Sequence, residues 1–279
     1  MKNRRIVRYC GMMFGQKVEW VERFTGEETP LIEPKELPKW IVHEDEHVIA
    51  INKPGWLVCH PSKKGPMSSL AGAIRVYCQT EKLHLVSRLD RETSGIVLIA
   101  KHRKSASQYQ KAVEARRVSK SYLVWLVGEL KEDILVDQAL GLDAHSPVHV
   151  KQIVREGKKT QTAQTRFERI DYSVKFNVTL AKAIPVTGRK HQIRAHAEWL
   201  KLPVLGDKIY GPDARLYLEF IERGWSNELE RQLKYHRQAL HARSLKFEGI
   251  EYQEDFEAPL TDDLRALNSF LGFPIEIEG

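Results

Sequence analysis

From Trp40 onward, hydrophobic positions fall into short runs whose spacing predicts strands and helices in irregular order. Trp40-Ile41-Val42 and His47-Val48-Ile49-Ala50-Ile51 are β-prone runs parted by an acidic turn, and Asn52-Lys53-Pro54-Gly55 breaks the second with strong turn chemistry. Leu70, Ile74 and Tyr77 share one helical face behind a cap at Ser68 or Ser69. Ile96-Val97-Leu98-Ile99-Ala100 is apolar at every position, which predicts a strand buried on both faces, and Tyr122 to Val127 reads the same way. Between them Ser105 opens a helix with Ala106, Tyr109 and Val113 on one side. Thr162 to Arg169 alternates imperfectly and Val174 to Leu180 more cleanly, as half-exposed strands do. Arg189 to Leu200 predicts a helix with Ile193, Ala197 and Leu200 on its apolar face. Two late strands, near Ala242–Phe247 and Tyr252–Phe256, precede a helix capped by Thr261 or Asp262 that carries Leu264, Leu267 and Leu271. Many strands with helices interspersed, without regular strand–helix–strand alternation, predict an α+β fold: a mixed, largely antiparallel sheet with flanking helices and loops.

Domain boundaries follow from where this pattern stops. Residues 1–37, with Pro30 and Pro34 as punctuation, read as an irregular N-terminal extension, and 38–279 as one domain. Within that domain, 212–237 is helical and strongly polar, like an insertion. A hydrophobic content of 42% supports a sizeable core, and no run approaches the roughly 20 apolar residues of a membrane helix. The basic start, Met1 to Arg8, is followed by Gly11-Met12-Met13-Phe14-Gly15 and then at once by Gln16 and Lys17, too little for a secretory signal. The three cysteines, Cys10, Cys59 and Cys78, are odd in number and widely spaced, which argues against a disulfide framework and against a structural zinc site. A soluble cytoplasmic protein with reduced thiols is expected.

Charge narrows the partners. The net +7 and pI near 9.2 suit a polyanion, and residues 101–120 concentrate the excess, with seven Lys or Arg against one Glu. A solvated helix face would carry the same charges.

Three segments hold candidate chemistry. In Ser87-Arg88-Leu89-Asp90-Arg91-Glu92-Thr93-Ser94-Gly95, an Asp flanked by Arg88 and Arg91 sits in a polar turn just before a buried strand. A carboxylate is ionised at neutral pH and needs no base to become a nucleophile. A turn Asp bonding its own backbone would look the same. Lys120-Ser121-Tyr122 opens a strand, where a Tyr ordinarily packs. In Thr187-Gly188-Arg189-Lys190-His191-Gln192-Ile193-Arg194-Ala195-His196, helical spacing puts His191 and Arg194 on one side. His191 and His196 are five apart and no Glu follows His191, so no metal site is expected. The chain has no P-loop, no dinucleotide fingerprint and no Gly-x-Ser-x-Gly elbow.

The string from Ser87 to Lys101 closely resembles, without a gap, the central motif of the RluA family of pseudouridine synthases. That motif is usually His-Arg-Leu-Asp-x-x-Thr-Ser-Gly followed by an apolar run and Ala-Lys; Ser87 stands where the family commonly has His. Lys120-Ser121-Tyr122 with Gly128 is similar to the family's Lys-x-Tyr strand, and Thr187 to His196, continued by Leu202 to Gly211, to its Thr-Gly-Arg-x-His-Gln-Ile/Leu-Arg-x-His segment. Asn52 to Val58 with His60-Pro61 resembles the family's Lys-Pro-x-Gly segment, and Gly157 to Phe167 resembles a further strand less exactly. The likeness runs from about Trp40 to Phe256 and omits 1–37 and 212–237.

The resemblance implies the pseudouridine synthase fold and the isomerisation of specific uridines in structured RNA, ribosomal or transfer, without a cofactor. Asp90 would be the nucleophile, Tyr122 would lie against the uracil, and Arg194 would pair with Asp90. Arg88 would fill the stack that the flipped base leaves. Lys101, Arg103, Lys104, Lys120, Arg189 and His191 would contact RNA. No membrane and no obligate protein partner is implied, and a monomer is expected. Two other classes use the same residues: an RNA-binding protein with the fold but no activity, and a glycoside hydrolase pairing Asp90 with Glu92.

Overall fold

A computed structural model describes residues 8–14, 16–21, 31–60 and 65–274. The chain divides into two compact units: Thr29–Leu123 with Leu240–Thr261, and Met1–Glu28 with Val124–Ala239 and Asp262–Glu278. The α+β class with a mixed, mostly antiparallel sheet is the observed one.

The first unit is built around the strand Ser94–Ala100, buried along its whole length as its unbroken apolar run predicts. Strand Val48–Lys53 pairs antiparallel along one edge and is itself flanked by Ile41–Glu44. The other edge is shared. His84–Leu85 pairs antiparallel at the Ile99–Ala100 end, and Leu240–Phe247 pairs parallel at the Ser94–Gly95 end, with Asp255–Glu257 beyond it. Alternate residues then serve opposite faces. Ile96, Leu98 and Ala100, with Val48 and Ala50, meet Ala106, Tyr109 and Ala112 of the helix Arg103–Glu114. Val97 and Ile99, with Ile49 and Ile51, meet Leu70, Ala73 and Ile74 of the helix Leu70–Tyr77.

Both helix starts are fixed by side chains. Ser69 Oγ accepts from Gly72 N at 3.2 Å, which makes it the cap of the two serines that the sequence offers. The next helix begins two residues before Ser105, because the His102 ring accepts from Ser105 N at 3.2 Å. Ser105 is instead buried inside the first turn, its hydroxyl donating to His47 O at 2.9 Å. Ala106 and Tyr109 share their buried face with Ala112, while Val113, expected there, is exposed.

The second unit carries the antiparallel pair Gln164–Ser173 and Val178–Pro185, turned at Asn177 with φ 52°, and Ile134–Asp137 on the outer edge of Gln164–Ser173. A small sheet of Gln152–Val154, Leu140–Leu142 and Thr160–Gln161 lies in the same unit, as do the helices Gln192–Trp199 and Asp262–Leu271. The strand Val118–Val127 contributes its residues up to Leu123 to the first unit and the rest to the second. Among the described residues no helix is long and apolar enough to cross a membrane.

Two expectations change here. The extension 1–37 is not wholly irregular: Arg8–Met13 and Gln16–Val21 form an antiparallel hairpin, and Phe14 packs on Phe176 and Phe270 at ring distances of 5.1 and 6.1 Å. The extension's residues 1–7, 15 and 22–30 lie outside the described ones. The insertion 212–237 is helical, as Arg215–Arg223 and Asn227–Leu233, but more than a polar outgrowth. Leu216, Leu229 and Leu233 form a small core with Phe220 and Trp225, and the buried Lys208 lies over both rings, 4.6 and 5.4 Å from their centroids.

Candidate active site

The loop that carries Asp90 leaves the sheet at Ser87. Val86 N donates to Leu98 O at 2.9 Å, and Ser87 Oγ accepts from Leu98 N at 3.0 Å. The serine hydroxyl thus supplies the acceptor that a continued strand would have offered. The turn closes where Thr93 N donates to Asp90 O at 3.2 Å. The motif's Ser-Gly is explained by the parallel register His241↔Ser94 and Ala242↔Gly95. Gly95 has φ +107°, and a Cβ there would stand 2.2 Å from Ala242 O, so only glycine fits. His241 Nε2 lies 3.1 Å from Ala258 O, which can only accept, so Nε2 carries the proton; a neutral ring then accepts the Ser94 hydroxyl at Nδ1, 3.0 Å away.

The segment 53–60 grips this loop almost residue by residue. Lys53 is fully buried, and its ammonium donates to Pro54 O, Leu57 O and Arg91 O at 2.8, 2.8 and 2.9 Å. The buried Cys59 thiol accepts from Leu89 N at 3.4 Å and donates to Leu89 O at 3.5 Å. His60 Nε2 accepts from Arg88 Nη1 at 2.8 Å. The half-buried Asp90 therefore sits between neighbours that are fixed from behind.

Tyr122 belongs to the same unit, and it packs with Leu89 against one hydrophobic cluster. Burial, and then the negative charge of Asp90, push its phenol well above the ordinary range, so the hydroxyl stays protonated. Lys120, two residues earlier and therefore on the same strand face, is half-buried, and burial lowers its ammonium pKa. Asp90 and Tyr122 thus lie in one unit, near enough for the carboxylate charge to bear on the phenol.

Arg194 belongs to the second unit. Its helix starts later than the predicted Arg189, at Gln192, because Thr187 to His191 form a turn that ends with His191 in the left-handed region, φ 57°. Gln192 ties that turn down: its carbonyl oxygen accepts from Thr187 Oγ1 at 2.6 Å and Arg189 N at 3.0 Å, while its amide nitrogen donates to Gln164 O and Thr165 Oγ1. Two residues on, Arg194 makes a two-pronged pair with Asp207, Nε to Oδ2 at 2.6 Å and Nη2 to Oδ1 at 2.8 Å. Asp207 Oδ1 also accepts from Ile209 N and Tyr210 N at 2.9 and 3.0 Å. Burial alone would raise the Asp207 carboxyl, but the Arg194 charge and these hydrogen bonds outweigh it and hold the carboxyl below its usual range. Arg194 also lies 4.9 Å from the centre of the Tyr210 ring, whose hydroxyl meets His191 Nδ1 at 2.9 Å and accepts from Gln152 N at 2.8 Å.

Asp207 was not singled out from the sequence. Its signal is the Gly206-Asp207 pair: Gly206 has φ +76°, and a Cβ there would meet Arg237 O at 2.0 Å, which fixes a tight turn at the carboxylate.

The expected RNA contacts divide. Arg103 and Lys104 are exposed, although Lys104 lies 3.6 Å from Glu251. Lys101 is instead engaged within the protein, its ammonium 2.7 Å from both Glu44 Oε1 and Asp45 O. Arg189 Nε donates to Thr162 O at 3.0 Å. Among the described residues no group of three or more His, Cys, Asp or Glu is arranged to hold a metal ion.

This geometry can be set beside known proteins. The family model for RNA pseudouridylate synthase matches residues 47–199. The ribosomal large subunit pseudouridine synthase D of Vibrio parahaemolyticus is 32% identical over 247 residues, 86% of this chain and 72% of the relative. An uncharacterised RNA pseudouridine synthase of Bacillus subtilis is 34% identical over 254 residues, 86% of this chain and 78% of its own length. Among solved structures, human RNA pseudouridylate synthase domain containing 4 superposes with a TM-score of 0.67 at 25% identity, covering 86% of this chain and 95% of that one.

Proposed function

The chain belongs to the RluA family of RNA pseudouridylate synthases, and on that premise we propose that Asp90 is the nucleophile with which it isomerises uridines of large-subunit ribosomal RNA. The enzyme class follows from membership; the RNA follows the named relatives, with transfer RNA the other substrate class.

The reaction breaks the N1–C1′ bond, turns the uracil and joins C5 to C1′. The C5 hydrogen passes to solvent and N1 gains one, so nothing is oxidised and no group is transferred to or from another molecule. A stacked uridine cannot reach a protein carboxylate, so it is extruded first, at about a few kcal/mol. Arg88, two residues from Asp90, takes the vacated place in the stack. Tyr122 lies against the uracil and moves a proton. Arg194 is the cation that, as the family resemblance implies, would keep Asp90 ionised and oriented, because a positive charge close to a carboxylate favours its charged form. Its own orientation is secured by Asp207. Exposed Arg103 and Lys104 contact phosphate, which sets register rather than sequence choice.

The observation that carries this reading is the placing of Asp90 and Tyr122: the carboxylate lies between Leu89 and Arg91, both tied to the segment 53–60, and Tyr122 packs in one hydrophobic cluster with Leu89. Tritium release from large-subunit ribosomal RNA transcribed with [5-³H]uridine tests it. Asp90→Asn should release none while still binding the RNA. Release at the wild-type rate would remove Asp90 from the mechanism.

A further inference from the structure

The side chain that the proposed reaction sends into the RNA stack finds its partner outside its own loop. Leu89 is tied through both backbone groups to Cys59, and the Arg91 carbonyl to Lys53, but the exposed Arg88 guanidinium reaches out of the loop to the His60 imidazole. At 2.8 Å between Nη1 and Nε2 this is a well-formed hydrogen bond. A guanidinium has donors only, so His60 Nε2 is the acceptor and the ring is neutral, with its proton on Nδ1. Burial, and after it the Arg88 charge, lower the His60 pKa and maintain that state. His60 ends the same segment that fixes Leu89 and Arg91, so the acceptor is carried on the support that sets the loop. A free arginine side chain samples many rotamers and would lose that freedom on entering a base stack. An acceptor that narrows those rotamers beforehand reduces the loss.

We propose that His60 is a positioning residue for base flipping: its Nε2 holds the Arg88 guanidinium in the pose from which that side chain enters the RNA stack. This rests on Arg88 being the flipping residue, and the experiment separates the two ideas. Single-turnover tritium release from the [5-³H]uridine-labelled ribosomal transcript is measured for wild type, His60→Phe, His60→Gln, Arg88→Ala and the double variant Arg88→Ala/His60→Phe. His60→Phe keeps a ring but no acceptor and should slow the step by about three- to tenfold, the scale of one ordinary, solvent-exposed hydrogen bond. His60→Gln keeps an acceptor oxygen and should restore most of the rate. In the Arg88→Ala background, His60→Phe should add nothing, because the two act as a unit. A purely structural role would give neither the glutamine rescue nor the lost effect. If Arg88→Ala is slow but His60→Phe matches wild type, or if the two losses multiply, the positioning role is wrong. If Arg88→Ala is itself as fast as wild type, the flipping assignment fails, and the inference with it.

Discussion

Replacing Asp207 by Ala attacks the buried fork to Arg194 at its acceptor. Asp207 is fully buried and Arg194 only 4% exposed, so water cannot take over the lost hydrogen bonds. Removing one member of a buried ion pair costs about 3–5 kcal/mol. The Ile209 and Tyr210 amides lose the same acceptor, which places the effect at the upper end. At about 2–4 °C per kcal/mol for a domain of 150–250 residues, the melting midpoint should fall by roughly 6–20 °C, read by circular dichroism at neutral pH. The sign with pH is fixed by the depressed folded-state carboxyl. Such a group stabilises fully above its unfolded value of about 3.9, and the contribution disappears as pH falls through the lower folded value. The gap between wild type and variant should therefore stay constant from about pH 8 to pH 5 and close only below about pH 4. A midpoint within about 2 °C of wild type, or a gap that closes between pH 8 and 5, would refute this reasoning. Arg194→Met with Asp207→Leu should recover much of the stability, since an apolar pair of similar volume can replace a buried salt bridge. It should recover no activity.

Tyr122→Phe keeps the ring and loses the phenolic proton; kcat for tritium release should fall about 10²-fold or more with KM little changed, and retained kcat would limit Tyr122 to stacking. Because burial and Asp90 both raise the phenol, the wild-type rate should show no fall near pH 10 that Tyr122→Phe abolishes. Arg103→Ala and Lys104→Ala should each reduce the slope of log K against log salt for RNA binding by about 1, whereas Lys101→Met, whose ammonium is engaged by Glu44 and Asp45, should leave that slope unchanged. Gly95→Ala should prevent normal folding of the first unit, since its Cβ would fall 2.2 Å from Ala242 O; a soluble variant with the wild-type melting midpoint would contradict the close approach.

What could be read in the sequence was what local spacing encodes. The unbroken run Ile96 to Ala100 announced a strand covered on both faces, the Ser68-Ser69 pair announced a helix start, and Leu264, Leu267 and Leu271 announced a buried helix face. The Asp90 loop and Tyr122 were legible because their motifs are contiguous. The groups that hold them were not. Lys53 meets Arg91 across 38 positions, and His241 meets Ser94 across 147; no periodicity links such pairs. The charge run 101–120 did not say which cations already have partners, and Lys101 has two. The hairpin of Arg8–Met13 and Gln16–Val21 is a backbone pairing with no clean two-residue alternation to reveal it. Ser87 puzzled only as a missing histidine; its oxygen does the backbone's work for Leu98.

Lys208 gives the insertion 212–237 a meaning that its sequence lacks. The lysine follows Asp207 directly, its ammonium bonds to His236 O at 2.6 Å, and the rings of Phe220 and Trp225 close over it. An engineer who excised the two helices as a loop decoration would strip both aromatic covers from a buried cation one residue away from the Arg194 anchor. Surface changes on these two helices should therefore be tolerated better than replacement of either ring.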